Sequence, residues 1–411
     1  MSQRPSVFGV MFLSVIIACL NYSFVIGQGL EYVTSLNVPN ESAYGIFLEG
    51  SKAYISNDIY GMSIVDISDP YSPSIIGEIA LPGYARNLFV RGDYAYIAAG
   101  DSGLQVVNVS NPLFPEPVGN YEASGTALSV YVAGDYAYVA NGYSGMWVIN
   151  ISDPTSPALT GTYSSSGYLM GVSVVGDYAL VTSNFTEPDY GELTTIDISD
   201  RSTPIYAGAD DFTGGAYGVY VSGNYAYVGA FTYGLHIFDI TYPPAPVYAG
   251  VYDTPGSATR VFSVNNYAFV ADGFSGVEMF DVTDCFNPVL LDSVNTHGNA
   301  RDVAADSAYV YIADEGTLLI YQITTTICNY VTGDINDNGA ANGIDVTYGV
   351  SFFKGGAEPP VACDCQTGGD IFPAGDVNGN CRFNGIDISY YVAYLKGGSP
   401  LQFCPGCPPL P

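Results

Sequence analysis

Apolar and polar positions alternate along most of this chain with a period of two, and the alternation restarts at turn residues. One unit reads ALSVYVAGD, YAYVAN, GMWVINIS and LTGTYS in succession, with β-branched and aromatic residues inside the runs and Gly, Asp, Asn and Pro between them. Runs of this kind predict strands rather than helices, so each unit holds four strands. The units recur: GSKAYIS at Gly50, GDYAYIA at Gly92, GDYAYVA at Gly134, GDYALVT at Gly176, GNYAYVG at Gly223, NNYAFVA at Asn265 and SAYVYIA at Ser307 follow at steps of 42, 42, 42, 47, 42 and 42. Five extra residues within SNFTEPDYGEL, residues 183–193, account for the long step.

Four strands in a repeat of this length are the mark of a propeller blade. The expected fold class is mainly β: a seven-bladed β-propeller of four-stranded blades, followed by a small α calcium-binding domain. Six units are complete, and the last, from Ser307 to about Thr326, supplies two strands. The two missing strands match EYVTSLNV and AYGIFLEG within residues 31–49, where Ala43 stands 42 residues before Ala85. The termini are therefore expected to share one blade and close the ring without a free sheet edge. GLQVVNVSNPLFPEPVG and GMSIVDISDPYSPSIIG resemble the LVIVD repeat family of bacterial surface propellers, over about 300 residues. That resemblance implies the propeller fold and no defined reaction.

The chain has 411 residues, 48% of them apolar, and mean hydropathy +0.20, enough to bury a sizeable core. Forty acidic residues face ten basic ones, a formal net charge of -30. Such a field repels phosphate backbones and anionic lipid, which argues against nucleic acid and against membrane adsorption, and it favours cations. Arg4 precedes an apolar run from Val7 to Leu20, a secretory signal rather than a spanning anchor. Cleavage after Gly27 gives a signal peptide at 1–27 and a soluble chain with no membrane insertion; the alternative is processing before Cys19, as a lipoprotein. The expected location is extracellular or on the surface of a bacterium.

Cys285 stands alone, while Cys328, Cys363, Cys365, Cys381, Cys404 and Cys407 crowd the last quarter. In an exported protein this density points to disulfides, with zinc at the CxC and CxxC pairs as the alternative.

Within the propeller the regular Asx positions Asp66, Asn108, Asn150, Asp197, Asp239 and Asp281 are read as turn caps. The informative positions are those where repeats disagree. After the small residue that opens each inner strand come Tyr44, Arg86, Leu128, Met170, Tyr217, Thr259 and Arg301, and then Gly45, Asn87, Ser129, Gly171, Gly218, Arg260 and Asp302. Propeller geometry places both sets near one mouth of the channel, and hairpins of the same face carry Tyr60, Tyr143, Tyr190, Tyr233 and Phe274. Tyr44, Arg86, Tyr143, Tyr217, Tyr233, Arg260, Phe274 and Arg301 form the candidate ligand face, suited to a glycan, a carboxylate or a surface protein. The plain alternative is inter-blade packing, with Arg86, Arg301 and Asp302 as an internal ion pair.

Catalysis finds little support: nucleophile elbow, zinc helix and phosphate loop are all missing from the sequence. His236 falls at the strand position of Gln105 and Trp147, which favours a packing or surface role over metal binding, and His297 lies in another unit. A non-enzyme is expected; the alternative is a carbohydrate-active enzyme with a carboxylate pair, carried by a docking tag.

GDINDNGAANGIDVTYGVSFFKGG, residues 333–356, and GDVNGNCRFNGIDISYYVAYLKGG, residues 375–398, align without gaps. Side-chain oxygens recur at loop positions one, three, five, nine and twelve: Asp334, Asn336, Asn338, Asn342, Asp345 and Asp376, Asn378, Asn380, Asn384, Asp387. Ala340 and Arg382 offer carbonyls at position seven, so each loop carries the oxygen set of a calcium site. Helical spacing follows at Val346, Val350 and Phe353 and at Ile388, Val392 and Leu395. The pair resembles the type I dockerin module, which implies two calcium ions and docking onto a cohesin. Gly343, Ile344, Gly385 and Ile386 stand where Ser or Thr contacts are usual, and Cys381 replaces a glycine, so the receptor is a cohesin or a divergent protein. The expected organisation is a signal peptide at 1–27, a propeller at 28–327 and a cysteine-rich calcium module at 328–411. Its expected work is recognition by the propeller face and calcium-dependent attachment by the tail.

Overall fold

A computed structural model of the protein describes residues 22–38, 42–122, 124–186, 189–330, 363–365 and 369–371. Seven four-stranded antiparallel sheets account for most of them. In blade 3 the four runs named above become Ser129–Ala133, Tyr136–Ala140, Met146–Asn150 and Ala158–Tyr163. Blade 1 spans Gly45–Ile79, blade 2 Asn87–Tyr121, blade 4 Tyr168–Thr213, blade 5 Val219–Tyr252 and blade 6 Arg260–Val294. Cys363–Cys365 and Gly369–Ile371 form a separate short hairpin. No helix among the described residues is long and apolar enough to cross a membrane.

Each strand's burial follows its place in the blade. Second and third strands are buried at four of five positions, as in Tyr136–Ala140 and Met146–Asn150. They read as continuous apolar runs because a neighbouring blade covers each sheet face. Outer strands such as Ala158–Tyr163 are buried at one position in six. The core is therefore a ring of inter-blade clusters, for example Tyr54, Met62 and Ile64 of blade 1 against Leu88, Val90 and Ile97 of blade 2.

Two turn positions fix the blade geometry. Inner and second strands join through two-residue turns in which Gly92, Gly134 and their equivalents have φ between 54 and 60° while the next residue does not. Positive φ at the first centre alone is the type II′ hairpin. At the next hairpin a Cβ on Gly103 or Gly145 would come within 2.2 Å of the outer-strand carbonyl of Tyr121 or Tyr163. The Asx positions behave as caps: Ser68, Ser110, Ser152, Ser199, Thr241 and Thr283 donate backbone N–H to the side chain two residues before, at 2.8–2.9 Å.

Ring closure differs from the expected division of two strands from each end. Blade 7 takes three strands, Ala300–Ala305, Tyr309–Asp314 and Thr317–Tyr330, from the C-terminal side, and only its outer strand, Tyr22–Asn37, from the N-terminal side. AYGIFLEG belongs to blade 1, whose inner strand is Gly45–Glu49. A 42-residue period fits any starting phase, so a unit begun at the second strand straddles two blades. The seam between blades 7 and 1 still has a full core, with Ala304, Tyr311, Leu318 and Ile320 against Ile46, Ile55 and Val65.

The five-residue insertion lengthens blade 4, whose strands run Tyr178–Thr186, Asp189–Asp197 and Ile205–Thr213. Residues 1–21 of the expected signal segment and all twelve expected calcium ligands, from Asp334 to Asp387, lie outside the described residues.

Candidate functional site at the channel mouth

On one face of the ring, in five blades, the hairpin between second and third strands meets the loop that leads into the next blade. Isolated bridges pair Asp58 with Ala85, Gly100 with Ala127, Gly142 with Leu169, Phe231 with Ala258 and Gly273 with Ala300. The hairpin corner needs a left-handed residue. Gly100, Gly142 and Gly273 supply it at φ 58, 55 and 63°, whereas Asp58, Phe231 and Glu315 adopt it at 48, 53 and 48°. A side chain in this conformation costs about 1–2 kcal/mol, so three blades carry strain at the same corner of the functional face.

Asp58 uses its corner to reach Arg86 at 3.5 Å. The Arg86 guanidinium lies 4.5 Å from the Tyr44 ring centre and 5.2 Å from that of Tyr84, and Arg301 lies 5.3 Å from Tyr44. Three expected residues, Tyr44, Arg86 and Arg301, are thus brought into one stack, whose cation–π contacts contribute about 0.5–2 kcal/mol each. The expected alternative of an Arg86–Arg301–Asp302 ion pair is not formed. Asp302 instead accepts the backbone N–H of Ile46 at 3.1 Å and of Val303 at 2.9 Å. Asp58 and Tyr84 were missed in the sequence, although the break in the glycine pattern at Asp58 was a visible signal.

Around this stack runs an aromatic rim. Tyr143 and Phe274 are 71% and 74% exposed, and Tyr60, Tyr84 and Tyr233 are also exposed. Tyr143 packs edge-on against Tyr168 at 4.7 Å, Tyr217 stacks on Phe231 at 5.0 Å, and Phe185 stacks on Tyr190 at 4.5 Å. These pairs hold rings in fixed orientations, the preorganisation a binding surface needs. Tyr217 and Tyr190 are occupied by these stacks; Tyr143, Tyr233 and Phe274 are open.

Arg260 is separate from the mouth stack. It lines the channel one layer deeper, with Asn87, Ser129 and Asp302. Burial pushes the Asp302 carboxyl up to about 6, against the pull of Arg260 and the two amides. Asn87 plays a matching part between blades 2 and 3, its Oδ1 accepting Val130 N–H at 3.0 Å. Both side chains tie one inner strand to the next.

His236 packs between Phe212 of blade 4 at 4.8 Å and Tyr248 of its own blade 5 at 5.4 Å, and burial pushes its imidazole down to about 4. Of the two expected roles, packing or surface, the buried side chain takes packing. Glu192 and Asp211 pair across the outer strands of blade 4, where burial and the neighbouring Asp211 raise Glu192; they do not line the channel. Among the described residues no three His, Cys, Asp or Glu side chains gather as a metal site, and Cys285 is a buried free thiol.

Seven four-stranded blades around a lined channel define a seven-bladed β-propeller repeat protein. Residues 42–80, 82–123, 124–165, 166–209, 213–254, 255–296 and 297–323 match the LVIVD repeat, and the chain belongs to the LVIVD repeat family. The matches begin near the inner strands, in phase with the blades. No curated protein matches the chain. Among solved structures, the computationally designed Ika8 protein is similar with TM-score 0.54 at 9% identity, covering 71% of this chain and 100% of that one. The WD40 β-propeller domain of Doa1 is similar with TM-score 0.58 at 10% identity, covering 72% and 97%. At such identity the likeness concerns fold alone.

Proposed function

We propose that this is an exported, non-catalytic recognition protein. Its propeller mouth binds a glycan or surface protein, and its residues 328–411 attach it, with calcium, to a protein partner. The observation that carries the reading is the Tyr44–Arg86–Arg301 stack inside a rim of exposed rings. Three of the ten basic residues of a chain with net charge -30 stand at or just below this mouth. Planar cations and aromatic rings are the side chains that dominate binding energy at recognition surfaces. The attachment role is supported by the twofold recurrence of the calcium-loop spacing at Asp334–Asp345 and Asp376–Asp387.

The test is binding of the full chain to a panel of neutral and acidic polysaccharides and purified bacterial surface proteins. Wild type is compared with Arg86→Ala/Arg301→Ala. Binding to a member of the panel that falls at least about tenfold in the variant, with melting unchanged, supports the reading. Equal binding by both overturns it.

A further inference from the structure

We propose that the central channel, below the mouth, is a site for a small organic carboxylate with a flat apolar body, anchored by Arg260. This deepens the recognition reading by giving the channel a ligand class of its own.

The channel encloses a cavity of about 400 Å3, within the range of about 300–1,000 Å3 usual for small-ligand sites. Side chains two residues apart on the inner strands form its layers. The middle layer is an aromatic belt in which Phe47 and Phe89 are 4.6 Å apart, Phe89 and Tyr131 4.9 Å, and Tyr220 and Phe262 4.6 Å. Burial pushes both the Tyr131 and Tyr220 phenols up, as an apolar surrounding requires. The layer nearer the mouth is polar where it lines the cavity, with Asn87, Ser129, Arg260 and Asp302. A belt of rings under a few convergent polar groups is the usual make-up of a ligand cavity.

Arg260 is the group the repeat does not explain. Its six equivalents are Gly, Asn, Ser, Gly, Gly and Asp, so blade construction does not call for a cation there. A Cβ on Gly218 would lie 2.8 Å from Arg260 Cδ, so the glycine is what lets the arginine lie along the channel wall. The ion pairs among the described residues are Arg86–Asp58 and Arg201–Asp177, which leaves Arg260 without one. The acid beside it, Asp302, has one oxygen on Ile46 N–H and the other on Val303 N–H. A half-buried guanidinium without an ion pair gains most from a carboxylate, which it grips through two parallel N–H donors. Asn87 assists: its Oδ1 is engaged by Val130 N–H, which leaves its amide hydrogens for the ligand. A carboxylate on Arg260 with a flat body among the rings of the belt gives the guanidinium a partner and the rings an apolar face to cover.

The experiment is calorimetric titration of the full chain with benzoate, and with benzyl alcohol as the neutral counterpart. Wild type, Arg260→Gln, Arg260→Lys, Asp302→Asn and Arg86→Ala/Arg301→Ala are compared, each checked by its melting curve. Benzoate is expected to bind wild type and to bind Arg260→Gln at least about tenfold more weakly, and benzyl alcohol to bind wild type at least about tenfold more weakly than benzoate. Arg260→Lys, which keeps the charge without the fork, is expected to fall in between. Asp302→Asn, which removes the acid of the channel wall, is expected to tighten benzoate. Silence toward benzoate up to about 10 mM, a limit near −3 kcal/mol of binding, overturns the proposal, as does equal affinity for benzyl alcohol. Undiminished benzoate binding by Arg260→Gln also overturns it. Because the mouth variant is expected to keep benzoate binding, failure in the channel is separable from failure at the mouth.

Discussion

Asp302 tests the physical picture of ring closure through a single substitution. Its carboxyl joins blade 7 to blade 1 by accepting Ile46 N–H at 3.1 Å, and burial holds its pKa up at about 6 against an ordinary value near 3.9. The folded protein therefore binds this proton more tightly than the unfolded chain does. The stability it contributes is complete below about pH 4 and is lost as pH rises through 6. Two pKa units correspond to about 3 kcal/mol. Asp302→Asn keeps an acceptor for Ile46 but removes the ionisation, so its stability relative to wild type should climb by about 2–3 kcal/mol between pH 4 and 7.5. With an unfolding entropy of about 2.1 cal/mol/K per residue over roughly 300 residues, that is a relative gain in Tm of about 4 °C. Scanning calorimetry at several pH values reads it directly. Parallel profiles for the two proteins would refute a buried, ionisable closure contact.

Four further outcomes follow from the same reasoning. His236→Phe should behave in the opposite sense: the imidazole is held down at about 4, so wild-type stability rises between about pH 4 and 6.5, and urea unfolding of the variant should lose that rise. Gly145→Ala drives a Cβ to 1.9 Å from Tyr163 O at φ 80°, whereas Gly134→Ala meets nothing within 4 Å at φ 54°; the first should cost well over 2 kcal/mol and the second about 1, both by denaturant melts. Deleting Gly29–Asn37 removes most of the outer strand Tyr22–Asn37 of blade 7 and should yield a protein that aggregates through the bared edge, seen by light scattering. Calcium titration of the full chain should show two sites, both lost in Asp334→Ala/Asp376→Ala; an unchanged isotherm would remove the attachment role.

The strands and the number of blades were legible because a blade spends its residues on two periods at once, alternation within strands and 42 residues between them. The mouth was legible where Arg86, Arg301 and Tyr44 broke that pattern. Three features were not. The phase of the repeat carries no mark of where a blade begins, so the outer strand Tyr22–Asn37 and the inner strand Gly45–Glu49 were assigned together to the closing blade. The tie from Asp302 to Ile46 spans 256 residues of sequence and depends on the ring being shut, which no local pattern records. Asp58 and Phe231 look like ordinary hairpin residues until their left-handed backbone is set beside the glycines of the other blades.

The central claim is that the mouth stack, and not the outer surface of the blades, is where this propeller meets its partner. The measurement is the dissociation constant of the full chain for its tightest ligand from the polysaccharide and surface-protein panel, taken for wild type, Arg86→Ala/Arg301→Ala, and Tyr206→Ala on an exposed outer strand. At least about a tenfold loss, or about 1.4 kcal/mol, is expected in the mouth variant and none at Tyr206. Loss at Tyr206 with the mouth variant unaffected would contradict the claim.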